Sequence, residues 1–394
     1  MVAYLDHAAT TPLHPEVLEE YARALAVVGN PASIHGHGQQ AKRMLEEARE
    51  QLAEVLGCDS IEIVFTSGGT EAINLAIKGM YWSRNSAGDR PVIVMPAGEH
   101  HATVDTVDWL VDAEGARLHE IGIDSQARVL PGVLDTALAE DDGAVALATV
   151  IWANNEVGTV QPVAELAAVA SRHGVPLHSD AVGALGSVPI DFAASGLAAM
   201  SVSAHKIGGP VGVGALVLAR SASVVPLLHG GGQQRKVRSG TQDVAGAVAF
   251  ARAARLAADR LDAHSASVRE LRDRLVRGVH EIAPDAVLRG APDARLPGNA
   301  HFTFPGCDGD SLLFLLDTAG VSVSTGSACA AGVSEISHVL IGMGVEEDDA
   351  RGALRMTLGQ GSTAADVDAF LAALPDAVAR ARRAGYSSRE PSIR

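Results

Sequence analysis

Short apolar runs alternate with helical patterns from about residue 57 to residue 250, and this alternation constrains the fold more than any other feature of the sequence. The helical patterns fall at 70–82, 101–113, 131–140 and 163–173. Seven apolar runs are short and bounded by glycine, proline or polar residues, as buried strands are: IEIVFTSG, PVIVMPAG, ARLHEIGI, AVALATVIWA, VPLHSDAV, AAMSVSA and GVGALVLA. The alternation predicts an α/β fold in which helices cover both faces of a mainly parallel sheet.

The rest of the chain predicts a second, smaller unit. An alanine- and arginine-rich stretch at 242–283 reads as one long helix, and short strands (NAHFTF, VSVSTG, ALRMTLG) follow it in an α+β pattern. A chain of 394 residues also exceeds the usual size of a single core. We therefore expect an N-terminal arm packed with the small domain, a large domain, a small domain and a frayed tail, at residues 1–14, 15–260, 261–380 and 381–394.

Charge and hydropathy exclude several classes of partner. A formal net charge of -16 does not suit a protein that holds phosphate backbones or anionic lipid, so neither nucleic acid nor a membrane is an expected partner. No apolar run approaches the ~20 residues of a membrane span. The N-terminal sequence MVAYLDHAATTP lacks the basic and apolar regions of a signal peptide. These features predict a cytoplasmic protein.

Cysteine and lysine usage narrows the chemistry. The three cysteines are widely spaced and odd in number, which fits neither a disulfide framework nor a metal knuckle, and no metal site is predicted. Of the 31 basic residues only four are lysines. Since arginine supplies a fixed charge elsewhere in this sequence, each lysine is a candidate for a role in which its amine must lose a proton.

Three segments at the ends of predicted strands carry the candidate chemistry. TSGGTEAINLAIKG passes from strand to helix through a glycine pair, where free backbone amides form an anion site and Thr70 adds a hydroxyl. VPLHSDAV is a predicted strand with Asp180 at its carboxyl end, and this carboxylate can pair with a pyridinium nitrogen. AAMSVSAHKIGG contains another predicted strand, with Ser203, His205 and Lys206 at its end. A lysine that is partly desolvated there suits Schiff-base chemistry.

Each segment also has an ordinary structural explanation. The three could be a plain strand-to-helix turn, a helix-capping aspartate and a surface lysine. Neither glycine-rich loop has the GxGxxG spacing of a dinucleotide site. Taken together, however, a phosphate cradle, a strand-end aspartate and a strand-end lysine are the parts that pyridoxal phosphate requires, and Lys206 is the outstanding candidate for its anchor.

The sequence resembles the cysteine desulfurases of the NifS/IscS type, within the fold-type I, class V aminotransferase superfamily. Ten motifs in family order carry the resemblance: YLDHAATTP, GNPASIH, TSGGTEAINLA, EHHATVD, NNEVGTVQP, HSDAVG, SAHKIGGPVGVGAL, HGGGQQRKVRSGT, STGSACAAG and ALRMTLG. It implies a fold-type I pyridoxal-phosphate-dependent transferase, with a mainly parallel sheet in the large domain, a smaller α+β C-terminal domain, and a homodimeric assembly.

The resemblance also implies roles for individual residues. His100 would stack on the pyridine ring and serve as an acid/base group, Asp180 would pair with the ring nitrogen, and Lys206 would hold the cofactor. The other predicted cofactor contacts within the chain are Gly69, Thr70, Asn155, Ser203 and His205. Thr241 would contact the cofactor from the partner subunit. The substrate carboxylate would be bound by Asn30, Asn155 and Arg355.

Cys329 lies in GSACAAG, a run of small residues that packs little and can swing, which suits an acceptor thiol. Cys58 and Cys307 fit the commoner role of small buried cysteines. The implied reaction takes sulfur from L-cysteine and gives L-alanine and a persulfide on Cys329, with His100 as base for the thiol. The sulfur would pass to an acceptor such as an iron–sulfur scaffold or a tRNA-thiolation enzyme.

Alternatives and one departure stay open at this point. A C–S or selenocysteine lyase, or an aminotransferase, would use the same scaffold without needing a thiol in a loop of small residues. A sulfur-transfer scaffold without catalysis is a further alternative, against which the intact Lys206, Asp180 and Arg355 argue. Gly183 stands where the family usually has a glutamine beside the cofactor's phenolic oxygen, which puts the tuning of the cofactor in doubt.

Overall fold

The computed structural model describes residues 2–86, 88–326, 329–330 and 333–387, with the backbone alone at 329–330, 333–334 and 384–387. The helices are α1 Pro15–Leu25, α2 Gly36–Leu56, α3 Gly69–Asn85, α4 His101–Glu114, α5 Pro131–Glu140, α6 Val163–Arg172, α7 Phe192–Ser195, α8 Val244–Asp259, α9 Leu261–Ile282, α10 Gly309–Thr318, α11 His338–Gly342, α12 Glu347–Ala350 and α13 Ala364–Ser387. The strands are β1 Ala3–Tyr4, β2 Ile63–Thr66, β3 Val92–Pro96, β4 Arg117–Ile121, β5 Val145–Ile151, β6 Leu177–Asp180, β7 Ala199–Ser203, β8 Gly214–Leu218, β9 Val287–Leu288, β10 Asn299–Thr303, β11 Val321–Ser322, β12 Cys329–Ala330, β13 Val333–Ser334 and β14 Ala353–Thr357.

The larger sheet has seven strands in the order β2-β8-β7-β6-β5-β3-β4. Strands β3 to β7 run parallel, while β8 pairs antiparallel with both β2 and β7. The reversal of β8 follows from the short connection after β7, because a parallel partner needs a crossover of roughly a dozen residues or more. The mainly parallel sheet predicted from the sequence is thus confirmed, with one reversed strand.

Helices cover both faces of this sheet. On one face α2, α5, α6 and α8 pack over it, with residues such as Leu52 and Phe250 fully buried. On the other face α3 and α4 contribute a second buried cluster that includes Ile77 and Leu110. Strand β5 is buried along its whole length, which explains its continuous apolar sequence. Among the described residues no helix combines the length and apolarity needed to cross a bilayer.

The smaller unit is an antiparallel sheet, β14-β10-β9, packed against α9, α10 and α13. Its core contains Phe302, Phe304 and Phe370 together with Leu5 of the N-terminal arm. The arm is fixed there because β1 pairs in parallel with β11 and the Leu5 amide donates to the carbonyl of Ser322 (2.9 Å). The first residues of the chain therefore run alongside the strands that carry the C-terminal site residues.

Two sequence predictions differ from the structure. The single helix expected at 242–283 is two helices, because Arg260 leaves the helical conformation (φ -110°, ψ 2°) and its guanidinium bonds to His14 and Glu16. The sequence carries no glycine or proline there to signal the break. Helix α13 continues to Ser387, into the stretch predicted to be frayed, while residues 388–394 lie outside the described part of the chain. The predicted division into domains stays a prediction.

Candidate active site

A cavity of about 580 Å³ opens where the parallel strands of the larger sheet end. This edge is where open α/β sheets bind their ligands. Strand β14 of the smaller unit contributes to the cavity wall. Ten residues singled out from the sequence line the cavity: Gly69, Thr70, His100, Asn155, Asp180, Gly183, Ser203, His205, Lys206 and Arg355.

Two predicted site residues lie elsewhere. Asn30 is exposed, and its Oδ1 accepts a hydrogen bond from the amide of Ala32 (2.9 Å), so it stabilises the turn between α1 and α2. Within one chain Asn30 therefore does not line the cavity, and its predicted role in binding the substrate carboxylate stays a prediction. Thr241 is also exposed and outside the cavity, and its predicted role in the partner's site stays a prediction.

The segment that carries the predicted acceptor thiol begins at the cavity. Ser324 and Gly326 line it. The backbone of Cys329 belongs to β12, which pairs antiparallel with β13 through Cys329 and Ser334. The side chain of Cys329 lies outside what the structure describes, so its role stays a prediction.

Two close backbone approaches shape the turn between β2 and α3. Gly68 has φ 154°, a conformation that glycine alone adopts readily. A Cβ on Gly69 would lie 2.7 Å from Cγ2 of Val182, and one on Gly214 would lie 2.6 Å from the carbonyl carbon of Gly68. The result is a cradle in which the free amides at the start of a 17-residue helix face the cavity, beside the hydroxyl-bearing Ser203. Such a cradle binds phosphate.

Asp180 is the last residue of β6 and is buried, with Oδ1 accepting the amide of Val182 at 2.9 Å. Burial raises the pKa of Asp180, while the nearby His100 and Lys206 oppose that shift. A buried carboxylate is costly unless it has a positively charged partner. A protonated ring nitrogen in the cavity would be such a partner.

Lys206 ends the short 3₁₀ turn that follows β7. Its Nζ donates to the carbonyl oxygens of Ala8 and Ala9, the second at 2.8 Å, so the N-terminal arm orients the amine. Burial, and secondly the charge of Arg355, lower the pKa of Lys206 to about 8. The amine is thus far easier to deprotonate than an ordinary lysine, as covalent chemistry on a carbonyl requires.

His100 is the N-cap of α4, and its Nδ1 accepts the amide of Ala102 at 3.0 Å. Burial lowers the pKa of His100, although Asp180 opposes the shift, so the neutral ring is favoured. With Nδ1 accepting, the neutral ring carries its proton on Nε2. His100 therefore presents its Nε2–H as a hydrogen-bond donor while Nδ1 is engaged by the helix cap, and its predicted acid/base role stays a prediction.

Arg355 lies on β14 and is held from two sides. Its Nη2 donates to Oδ1 of Asp6 at 2.8 Å and its Nη1 to the backbone carbonyl of Asn155 at 2.9 Å. Its buried Nε has no hydrogen-bond partner among the residues that the structure describes. Asp6 was missed by sequence reasoning even though it lies in the motif YLDHAATTP, because only the fold brings it to Arg355.

Glu99 is a second site residue that the sequence did not single out. It lines the cavity, is 1% exposed, and its Oε1 accepts the amide of Ile151 at 2.6 Å. Ile151 is the register partner of Asp180, so the Glu99 side chain, which extends from the loop after β3, reaches the strand next to the one that carries Asp180. Burial raises the pKa of Glu99 to about 8, and Asp180 adds to the shift. Burial therefore favours the protonated, neutral form of Glu99.

At Gly183 the backbone lines the cavity without filling it. A Cβ built there would lie 3.3 Å from the carbonyl oxygen of Ala153. The position therefore accepts a larger side chain with a small adjustment, and glycine leaves room where the family usually has glutamine.

The residues fit pyridoxal phosphate. The cavity has the volume of a cofactor site. It combines an amide-lined cradle shaped by glycine, a buried carboxylate at a strand end, and a lysine whose pKa is lowered. Fold and site together define a fold-type I pyridoxal-phosphate-dependent enzyme.

Comparison with known proteins gives the family. The model of the aminotransferase class-V family matches residues 3–370. An IscS-like cysteine desulfurase of Mycobacterium tuberculosis is 55% identical, over 98% of this chain and 99% of its own. A cysteine desulfurase IscS of Methanosarcina thermophila is 39% identical, over 96% of this chain and 92% of its own. A solved NifS-like protein is 34% identical with a TM-score of 0.89, and the match covers 96% of this chain and 100% of that one.

The chain belongs to the class V aminotransferase family, and within it to the cysteine desulfurases. The resemblance seen in the sequence, the fold class and the dependence on pyridoxal phosphate are thereby confirmed.

Proposed function

We propose that this enzyme is a cysteine desulfurase in which Lys206 anchors pyridoxal phosphate and Cys329 receives the sulfur of L-cysteine. The observation that carries the proposal is the convergence of Lys206, Asp180 and His100 on one cavity, at which the segment before Cys329 begins. The overall reaction converts L-cysteine and the thiol of Cys329 into L-alanine and a protein persulfide. Relatives named cysteine desulfurase, at 37% to 55% identity, support the same activity.

Lys206 and Asp180 have complementary tasks. Pyridoxal phosphate, when bound, supplies a ring that takes up the electron pair released at the substrate's Cα. Asp180 pairs with the ring N–H and keeps it protonated, and the carboxylate is paired in return. Lys206 removes the Cα proton with an amine whose pKa, lowered to about 8, makes the free base accessible near neutral pH.

The phosphate is held by the cradle at the start of α3. Free amides of that helix supply partial positive charge, and the hydroxyl groups of Thr70 and Ser203 add donors. His205 stands beside them as a neutral ring, since burial and secondly the charge of Lys206 lower its pKa to about 4. Its ring supplies a further hydrogen bond to the phosphate.

Arg355 binds the substrate carboxylate. The bonds to Asp6 and to the Asn155 carbonyl fix the guanidinium before substrate arrives. A donor that is already oriented loses less conformational entropy on binding. The side chain of Asn155, also at the cavity, supplies a further polar contact.

Cys329 completes the reaction as a nucleophile. Its thiolate attacks the substrate's sulfur, a sulfur–sulfur bond forms as the Cβ–S bond breaks, and the electron pair stays with carbon. Sulfur is oxidised and carbon is reduced, so no outside oxidant is needed. The proton lost by the Cys329 thiol balances the proton gained at Cβ, and His100 donates a hydrogen bond to the substrate through its Nε2–H.

The assembly is proposed to be a homodimer. Leu18, Leu25, Val28 and Ile34 are large apolar side chains exposed around α1 and the loop after it, with Ile34 90% exposed. A second copy would cover such a surface. It would also bring Thr241 to the phosphate site, as the resemblance implies.

The delivery of sulfur is the part of the proposal that reaches beyond this chain. An acceptor protein, such as an iron–sulfur scaffold or a tRNA-thiolation enzyme, would take the sulfur from Cys329. The reducing cytoplasm is the compartment in which such an acceptor thiol stays free between turnovers.

The test compares Cys329→Ser with Cys58→Ser. Cys58 is a matched control, because burial raises its thiol pKa to about 12 and it does not line the cavity. Alanine and sulfide are measured with L-cysteine and a reductant. The Cys329 variant is expected to bind cofactor but to lose sulfide release, and the Cys58 variant to keep it. Undiminished sulfide from the Cys329 variant would instead identify a C–S lyase.

A further inference from the structure

We propose that Arg238 and Gln234 are positioning residues of the phosphate cradle, which hold its two sides in place and cancel a negative charge beside the phosphate. The proposal rests on the placement of the cofactor phosphate at the start of α3. Both residues belong to the segment that follows β8 and lie outside the lining of this chain's cavity.

Arg238 holds the helix side of the cradle. Its Nε donates to Oε1 of Glu71 at 2.9 Å and its Nη2 to Oε2 at 3.3 Å. Only 21% and 15% of these side chains are exposed. Glu71 lies in the first turn of α3, and its Oε2 also accepts the amide of Ser67 at 2.7 Å. The Glu71 carboxylate thus joins Arg238 to the loop just before the backbone amides that are proposed to bind the phosphate.

Gln234 holds the strand side. Its Oε1 accepts the amide of Phe65 at 2.7 Å and its Nε2 donates to the carbonyl of Phe65 at 2.8 Å. Phe65 is in β2, the edge strand that leads directly into the cradle. The side-chain amide of Gln234 therefore makes the two hydrogen bonds to Phe65 that a further strand would make. Phe65 lies two positions before the loop that begins at Ser67.

The turn that presents these groups is itself unusual. Gln234, Arg235 and Lys236 have φ of 47°, 59° and 62°, three consecutive non-glycine residues in the left-handed region. Such a conformation is costly and persists only where the surroundings hold it. The paired bonds to Phe65 and Glu71 are what holds it, which ties the turn and the cradle to each other.

Charge gives Arg238 its specific task. Burial alone would raise the pKa of Glu71, but the hydrogen bonds from Arg238 and Ser67 keep it below its ordinary value, so the carboxylate is ionised. An ionised carboxylate in the first turn of α3 repels a phosphate that binds there. Arg238 neutralises it. Without Arg238 the negative charge remains and the cradle loses affinity for a dianion.

The experiment uses two variants that break the same ion pair with opposite changes of charge, Arg238→Gln and Glu71→Gln. The dissociation constants of pyridoxal phosphate and of pyridoxal, which lacks the phosphate, are measured on each apoenzyme by fluorescence and by the cofactor absorbance. Arg235→Gln is the matched control, because Arg235 lies in the same turn, is exposed, and is outside the cavity.

Arg238→Gln is expected to weaken pyridoxal phosphate binding by roughly 10-fold or more, the range of a charge-assisted contact. Its effect on pyridoxal should stay within about 2-fold. Glu71→Gln should bind pyridoxal phosphate more tightly, because it removes the negative charge and leaves the positive charge of Arg238 in place, and Arg235→Gln should match the unsubstituted enzyme.

Equal losses for pyridoxal and pyridoxal phosphate, or losses of the same sign in both variants, would overturn the charge role. If Arg238→Gln does not fold, the tighter binding expected of Glu71→Gln still decides the matter. A failure of the proposed function is distinguishable, because in that case the unsubstituted apoenzyme would not bind pyridoxal phosphate through Lys206 at all.

Discussion

Replacing Gly69 by alanine tests the phosphate cradle through a single methyl group. Its Cβ would lie 2.7 Å from Cγ2 of Val182 and 3.7 Å from Cβ of Ser203. Carbon atoms that are not bonded prefer about 3.5–4.0 Å. Valine is stiff at χ1, so the contact is relieved only if the backbone of the cradle moves away from the loop after β6.

The expected cost is that of overpacking a well-packed site, about 1–3 kcal/mol. If this cost applies only to the cofactor-bound state, the dissociation constant for pyridoxal phosphate rises roughly 5- to 150-fold. Titration of the apoenzyme, followed by the absorbance of the lysine-bound cofactor, measures it. Thermal unfolding of the apoenzyme shows whether the cost falls on folding instead.

Two controls separate the clash from other effects. The double variant with Val182→Ala removes the Cγ2 atom and should recover most of the lost affinity. Gly132→Ala places a methyl group where no atom lies within 4 Å and should leave binding unchanged. A Gly69→Ala enzyme that binds the cofactor normally would refute the placement of the phosphate at α3.

Three further predictions follow from the site. Arg355→Lys should raise KM for L-cysteine by roughly 10-fold or more with little change in cofactor affinity, because lysine lacks the oriented fork; steady-state kinetics and cofactor titration check both. The rate at which cofactor attaches to the apoenzyme should rise with pH and level off near the lowered pKa of Lys206, about 8, because only the free amine attacks; stopped-flow absorbance measures it, and a rise that continues to pH 10 contradicts it. Burial raises the folded-state pKa of Glu99 to about 8, so Glu99 keeps a proton in the folded protein that it loses in the unfolded chain, and its own contribution to apoenzyme stability should fall as pH rises from about 4.5 to 8. In thermal unfolding the unsubstituted apoenzyme should therefore lose stability relative to Glu99→Gln over this range, and a difference between the two that does not change with pH would contradict it.

Much of the fold could be predicted because local pattern and tertiary role agree. Strand β5 is apolar throughout since both of its faces are buried, and Asp180 and Lys206 stand out as polar residues at strand ends. The break at Arg260 could not be predicted, because it depends on contacts with His14 and Glu16, more than 240 positions away in the chain. The helical propensity of the sequence there is uninterrupted.

In the site, too, some residues could be predicted from local sequence and others depend on distant contacts. Lys206 and Asp180 were predictable because their chemistry can be read from residue type and position at a strand end. Asp6 and Gln234 acquire their roles only through the fold: Asp6 bonds to a residue 349 positions away, and Gln234 bonds to one 169 positions away. Asn30 was singled out from a motif alone; within one chain a local hydrogen bond holds it in its own turn, and its role in the site stays a prediction.

The most direct test is to locate the sulfur after a single turnover. Enzyme loaded with cofactor is mixed with L-cysteine in the absence of reductant, alkylated and mapped by peptide mass spectrometry, while alanine is quantified. The account predicts one additional sulfur atom on Cys329 for each alanine formed. Alanine or sulfide formed with that thiol unmodified, or the extra sulfur found on Cys58 or Cys307, would contradict it.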